Sequence, residues 1–338
     1  MHIISPLDHV DEIRLLARKK VREFYCGYVP PYFVDRVYSS LPNDGYYLSL
    51  NRRNSALAQI NSLHDLSKMV MVGKKCNCDI YVTLNALYYP DCIYQILDSY
   101  IDECASVGIK GFIVTNLELV RLIKEMAPSL EVFLSTCSQI TNSYSAKFAK
   151  ELGADRITFP RHMSLKEIIT IVENCPEIDY ELFVLDGGCL YDDGHCYISH
   201  CCGPICKEVW NEDFEMFERG DIDFSMIRRI NQLSSDFHYW TNSYLSQNRM
   251  INGWALTKCS LCSLPSLSKY PQIRALKFPG RSISLAEKLK MVRLLCDAIC
   301  MVENGASRED LIHLSKKTFG LGELCDNGTR CLLNPEVI

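Results

Sequence analysis

Apolar positions along the chain follow two alternating rhythms. Short apolar runs predict strands at 2–6, 22–27, 79–86, 111–116, 131–136, 156–160, 180–186 and 275–279. Stretches with apolar residues three and four apart predict helices at 8–19, 92–108, 117–127, 143–153, 164–174 and 284–302. The punctuation agrees. Gly108 and Gly153 follow two of these helices, and Pro128 closes a third. Ser164 with Glu167 three residues on is a capping-box pattern. Eight strands separated mostly by helices predict an α/β fold, an eight-stranded parallel β/α (TIM-like) barrel. A doubly wound open sheet is the competitor, because the pattern does not show closure.

Two regions break the rhythm. Residues 29–61 hold Pro30-Pro31 and Asn43-Asp44-Gly45 and read as a loop carrying a hairpin. Residues 203–258 are partly acidic and rich in Asn, Ser and aromatics, and read as an elaborated loop between strands seven and eight. The expected organisation is a barrel catalytic domain over 1–302, with 203–258 inserted, and a C-terminal helical tail over 303–338 carrying a helix at 307–318.

Composition narrows the function classes. The 338 residues are 48% hydrophobic and 23% charged, enough for one large core. The net charge of −5 gives no global basic field, so nucleic acid is not an expected partner. The opening MHIISPLDHVDEIRLLARKK lacks the apolar core of a secretory signal. No apolar run reaches the roughly eighteen residues of a spanning helix. A cytoplasmic chain without a membrane span is expected.

The chain has 18 cysteines. A reducing compartment disfavours a disulfide framework, and Cys104, Cys296 and Cys300 sit in helical apolar patterns as small core residues. Five others crowd into DGGCLYDDGHCYISHCCGPIC (186–206): Cys189, Cys196, Cys201, Cys202 and Cys206. They follow strand seven, and loops after barrel strands lie on the C-terminal face, where active sites are built. Thiolates at such density suit zinc or an iron–sulfur cluster. Zinc would prefer tight pairs, and only Cys202–Cys206 and the downstream Cys259–Cys262 form them. Unliganded thiols, or one nucleophile beside His195 or His200, stay open as alternatives.

Other residues qualify by position. Arg161 and His162 end strand six and are expected to enter the site, Arg161 to fork a carboxylate and His162 to move protons. Asn85 and Asn116 end strands three and four, placed to orient a polar ligand or to cap the next helix. Lys277 on strand eight faces the barrel interior, and once buried must pair with Glu or Asp. Arg281 follows Gly280 and can bind an anion. Arg52-Arg53 reads as a solvated face, and Asp192-Asp193 as shaping the turn before Gly194. Tyr25, Tyr28, Tyr32, Phe33, Tyr46 and Tyr47 suit a small ring or a peptide, and equally a core.

Several segments together resemble the collagenase-like peptidase family U-32. The opening IISP and EFYCG, VTLNAL (82–87), STCSQITN (135–142), ITFPRHMSLKEI (157–168), ELFVLDGGC (181–189), GHC (194–196), Cys202-x3-Cys206-Lys207 and LKFPGR (276–281) follow the family's order. The resemblance implies a 4Fe–4S cluster held by Cys189, Cys196, Cys202 and Cys206, with Cys259 as reserve ligand and Cys201 behind it. It implies oxygen-independent hydroxylation, with prephenate as oxygen donor in some members, and in some a homologous partner chain. The substrates of members range from ubiquinone precursors to RNA bases; a small molecule or peptide is expected here. The family label also keeps a peptidase in view, although no Ser-His-Asp or HExxH pattern supports it. Departures include Leu185-Asp186 for His-Gly, Cys137 for Gln and Pro279 for Glu.

Overall fold

The first strand pairs on both its sides, and that closes the sheet. The computed structural model describes residues 1–33, 50–53, 58–186, 193–195, 224–246, 258–320, 322–326, 328 and 331–333. The barrel strands are β1 (His2–Pro6), β2 (Val21–Tyr28), β3 (Asp79–Leu84), β4 (Gly111–Val114), β5 (Glu131–Leu134), β6 (Arg156–Thr158), β7 (Asp179–Phe183) and β8 (Ile273–Lys277). All pair in parallel with their sequence neighbours, and β1 also pairs with β8, His2 opposite Ala275. A closed barrel leaves no edge, so the open-sheet alternative falls.

Helices α1 (Val10–Leu16), α2 (Leu63–Lys75), α3 (Asp91–Ser106), α4 (Leu117–Met126), α5 (Ser143–Glu151) and α6 (Leu165–Asn174) join successive strands. After them come α7 (Phe224–Ser246) in the β7–β8 connection, α8 (Leu285–Glu303), α9 (Arg308–Phe319) and α10 (Gly322–Asp326). Their starts follow from capping. The Glu167 carboxylate accepts from Ser164 N–H at 2.7 Å, and Ser164 Oγ accepts from Glu167 N–H at 3.3 Å. Asn116 caps α4 through Glu118 N–H at 2.8 Å. The stripe Ile168, Ile171 and Val172 of α6 is buried against the barrel. Each such side chain contributes about 1.5–3 kcal/mol by leaving water.

Besides the short helices Leu264–Leu267 and α10, two longer helices among the described residues lie outside the expected set. In α2 the stripe Leu66, Met69, Val70 and Gly73 is interrupted by lysines and by the glycine itself, which blurs its period. Helix α7 occupies part of the stretch read as irregular; its Phe224, Met226 and Leu233 are exposed. The hairpin expected within 29–61 falls largely outside the described residues. The part that is described adds a short parallel strand, Gln59–Ile60, beside the end of β2.

The β7–β8 connection leaves and returns at one point. Leu185–Asp186 pairs antiparallel with Lys258–Cys259 just beyond the C-terminal end of β7. The tail returns to the same place, with Leu332 N–H donating to the Cys259 carbonyl at 3.1 Å. The seam between the first and last βα units is held by Lys288 of α8, fully buried, bonded to Asp8 at 2.6 Å and Glu12 at 2.8 Å. Inside the barrel, Ile4, Tyr25, Tyr81, Ile113, Phe133 and Ala275 form one apolar cluster. Strand alternation sends their neighbours outward to the helices.

Candidate active site at the C-terminal mouth

Charged residues cross the barrel interior in a paired chain. Arg156 donates to Glu23 at 2.8 Å and to Glu181 at 3.3 Å, and stacks over Phe133 with its guanidinium carbon 4.0 Å from the ring centre. Glu181 also accepts from Lys277 and Thr158, both at 2.7 Å. Burial works against the Glu23 charge, but Arg156 and His2 bring its carboxyl down to about 2. Glu181 is likewise lowered, burial being outweighed by Lys277 and Arg156. Lys277 thus faces inward and finds a glutamate, as a buried ammonium must. Its Nζ lies 4.5 Å from the Tyr25 ring centre, so the ion pair is walled by aromatics.

Above that layer, where the strands end, a second group gathers around Asp193. Asp193 is 2% exposed. Its carboxylate accepts from Arg161 Nε at 3.1 Å, from Arg161 backbone N–H at 3.2 Å and from Arg52 Nη1 at 2.9 Å. Burial opposes its charge, yet Arg161 and Arg52 hold the carboxyl well below the usual carboxylate range. Gly194 beside it lies against Gln139, and a Cβ there would collide with the Gln139 side chain. Gln139 itself takes the left-handed φ of 54°. The turn Asp193–His195 is thereby fixed on the barrel mouth, between the loops after β2, β5 and β6.

This arrangement revises several expectations. Asp193 does more than shape a turn, because it carries the charge of the mouth. Arg52 is not a solvated arginine but a partner of Asp193, and Arg53 donates to Ser282 Oγ at 2.7 Å. Arg161 does fork a carboxylate, but an internal one. Asn85 is half-buried at the mouth, where its Oδ1 accepts from Arg52 N–H at 3.2 Å; it orients the arginine loop. His162 is exposed on the rim, with Glu167 in its electrostatic neighbourhood. Asp193 was beyond sequence reasoning because its partners stand 32 and 141 residues away.

Cys189, Cys196, Cys201, Cys202 and Cys206 lie outside the described residues. Cys259 is described: its thiol is buried 3.7 Å from Ser315 Oγ of α9, and burial pushes it up to about 12. Cys137, after β5, is buried near the clamp, and burial raises its thiol too. Among the described residues no three His, Cys, Asp or Glu side chains are arranged to hold a metal ion. A basin of about 850 Å³ opens at the opposite, N-terminal end of the barrel, lined by His2, Glu23, Tyr81, Glu131, Arg156 and Asp179 among others. Barrel chemistry belongs to the C-terminal face, so we assign the site to the mouth and not to this basin.

The sequence profile of Peptidase family U32 matches residues 26–322. This chain belongs to peptidase family U32. The curated relatives of this U32 chain include tRNA hydroxylation protein P of Helicobacter pylori, 30% identical over 123 residues, which are 36% of this chain and 29% of the relative. Protein P1 of Bacillus subtilis, of the same title, is 28% identical over 139 residues, 41% of this chain and 32% of the relative. Protein P of Escherichia coli is 26% identical over 172 residues, 51% and 36%. The matches thus span about a third of the length of these relatives. Among solved structures, the U32 peptidase Mk0906 is 19% identical with a TM-score of 0.35, covering 49% of this chain and 70% of that one. An oxaloacetate acetylhydrolase is 10% identical with a TM-score of 0.37, covering 97% and 93%. The barrel itself rests on its own strand pairing. Among the described residues no helix is long and apolar enough to cross a membrane.

Proposed function

We propose that this U32 chain serves the hydroxylation of a base in transfer RNA, with an iron–sulfur cluster on Cys189, Cys196, Cys202 and Cys206. The observation that carries the reading is the clamp: Asp193, from within the cysteine-rich segment, is held by Arg52 and Arg161 at the C-terminal mouth. The donor chemistry fits, since closely spaced thiols in a reducing cell favour iron–sulfur ligation. When bound, a 4Fe–4S cluster supplies one-electron chemistry that needs no dioxygen. The names of the relatives supply the substrate class, and they remove the ground for leaving nucleic acid out.

The chain's own residues divide the work. Arg52, Arg161 and Gln139 hold the Asp193–His195 turn against the barrel, and Asn85 orients Arg52. Beneath them lie the buried pair Lys277 and Glu181 and the half-buried ring of Phe183. Arginines at the mouth give an acidic protein a local handle for a polynucleotide, and such binding weakens as salt rises. The reading is tested by mass spectrometry of tRNA nucleosides from cells lacking the chain. A nucleoside carrying one extra oxygen is expected to disappear, to return with the wild-type chain, and not to return with Cys196→Ala. Unchanged nucleosides, together with peptide cleavage by iron-free protein, would overturn it in favour of a peptidase. Hydroxylation in vitro only after a second chain is added would make this chain one subunit of the enzyme.

A further inference from the structure

Arg281 is a cation that the fold buries without neutralising. It is 5% exposed, and its guanidinium reaches across the mouth from the end of β8. There Nη1 donates to Thr83 Oγ1 at 3.1 Å and to the Ala58 carbonyl at 3.5 Å. Among the described residues its bonding partners are these two neutral oxygens, and no carboxylate joins them. The other buried cations differ. Arg156 has Glu23 and Glu181, Lys277 has Glu181, and Lys288 has Asp8 and Glu12.

The surroundings increase the imbalance. Arg53 stands close enough to repel it, so two guanidiniums share one corner of the mouth. Burial foremost pulls the Arg281 guanidinium below its ordinary pKa; Arg53 adds to this, while Tyr25, Cys26 and Asp8 oppose it. The backbone is contorted on both sides, with Gly280 at φ 143° and Ser282, a non-glycine residue, at φ 69°. Such conformations persist where surrounding structure imposes them, and they cluster at ligand sites. Gly27 completes the seat, because a Cβ there would strike Arg281 Nη1 and Gln59 Oε1. A strained loop and a bare glycine thus hold a charge that no carboxylate among the described residues bonds directly.

We infer that Arg281, with Arg53 and Thr83 beside it, forms an oxyanion subsite in the barrel mouth that takes a carboxylate group of a small substrate or co-substrate. A guanidinium offers paired N–H groups that match the two oxygens of a carboxylate, and a phosphate shares that chemistry. The depth of Arg281 favours a small terminal group over the backbone of a polynucleotide. Asp193 does not fill the role, since its oxygens are held by Arg52 and Arg161. The inference needs no cluster and no particular reaction, so it can fail while the hydroxylation reading stands.

The test titrates malonate, inorganic phosphate and a short single-stranded RNA separately into the full-length protein, followed by calorimetry and thermal melting. Wild type and Arg281→Met are compared. The expected result is saturable malonate binding that raises the wild-type melting temperature and is weakened about tenfold or more by Arg281→Met. Without ligand, Arg281→Met is expected to melt at or above wild type, because an uncompensated buried charge has been removed. No malonate response in wild type, or an equal response in both proteins, would overturn the subsite. A response to phosphate and RNA but not to malonate would overturn its assignment to a small carboxylate. An unliganded Arg281→Met that melts well below wild type would show a structural brace instead.

Discussion

The barrel interior and the barrel mouth use the same residue types to opposite ends. In the interior, Glu23, Arg156, Glu181 and Lys277 form an alternating chain in which every charge meets its opposite. At the mouth, Arg52 and Arg161 converge on Asp193, and Arg281 bonds only neutral oxygens among the described residues. Balanced burial fixes a unique interior packing. Unbalanced burial is tolerated only where something else supplies the missing charge. The difference supports placing the functional end at the mouth rather than at the basin at the other end.

The strongest way to break this comparison is to unbalance the interior. Arg156→Leu leaves Glu23 and Glu181 buried beside one fewer cation, and a loss of about 3–5 kcal/mol in chemical denaturation is expected. Asp193→Asn acts at the mouth and keeps the side-chain shape. It is expected to cost about 2 kcal/mol, the scale of hydrogen bonds to a charged group. It is also expected to release the Asp193–His195 turn, seen as faster amide exchange there.

Acid titration separates the two regions more finely. Glu23 and Asp193 both have carboxyls depressed by folding, Glu23 to about 2. The unfolded chain therefore binds more protons as pH falls below the ordinary carboxylate value of about 4. Stability from both groups is present above that value and is lost as pH falls through their folded values. Denaturation midpoints of wild type should decline through this window, and those of Asp193→Asn should decline less steeply. The smallest effect belongs to a region neither comparison touches. Ser164→Ala removes one capping box from α6 and should cost about 1 kcal/mol.

The strands and most barrel helices were legible because their periods are local. All eight strands lie where alternation and length put them, trimmed at the ends where Asn85, Asn116 and Ser135 turn into the mouth. Ser164 and Glu167 announce their capping box within four residues. The inward, paired Lys277 was legible too, since a buried ammonium has few options. What pattern could not carry was pairing across the chain. Asp193 looks like any turn aspartate until Arg161 and Arg52 are brought to it from distant loops. Arg161, expected to fork a carboxylate, is engaged by an internal one for the same reason. Arg161 and Arg281 can each bind an anion by type, and only the fold says which one is already engaged. Helix α2 was lost to a blurred stripe, and α7 starts with exposed Phe224 and Met226 inside a stretch read as a loop.

The account turns on the cysteine segment being held at the mouth by Asp193 so that its thiols can bind a cluster. The most direct measurement is iron and acid-labile sulfide per chain after anaerobic isolation, in wild type, Cys196→Ala, Asp192→Asn and Asp193→Asn. The account predicts about four of each in wild type and little in Cys196→Ala. It predicts a several-fold loss in Asp193→Asn that Asp192→Asn does not share. Iron-free wild-type protein, or a full complement of iron in both Cys196→Ala and Asp193→Asn, would contradict it.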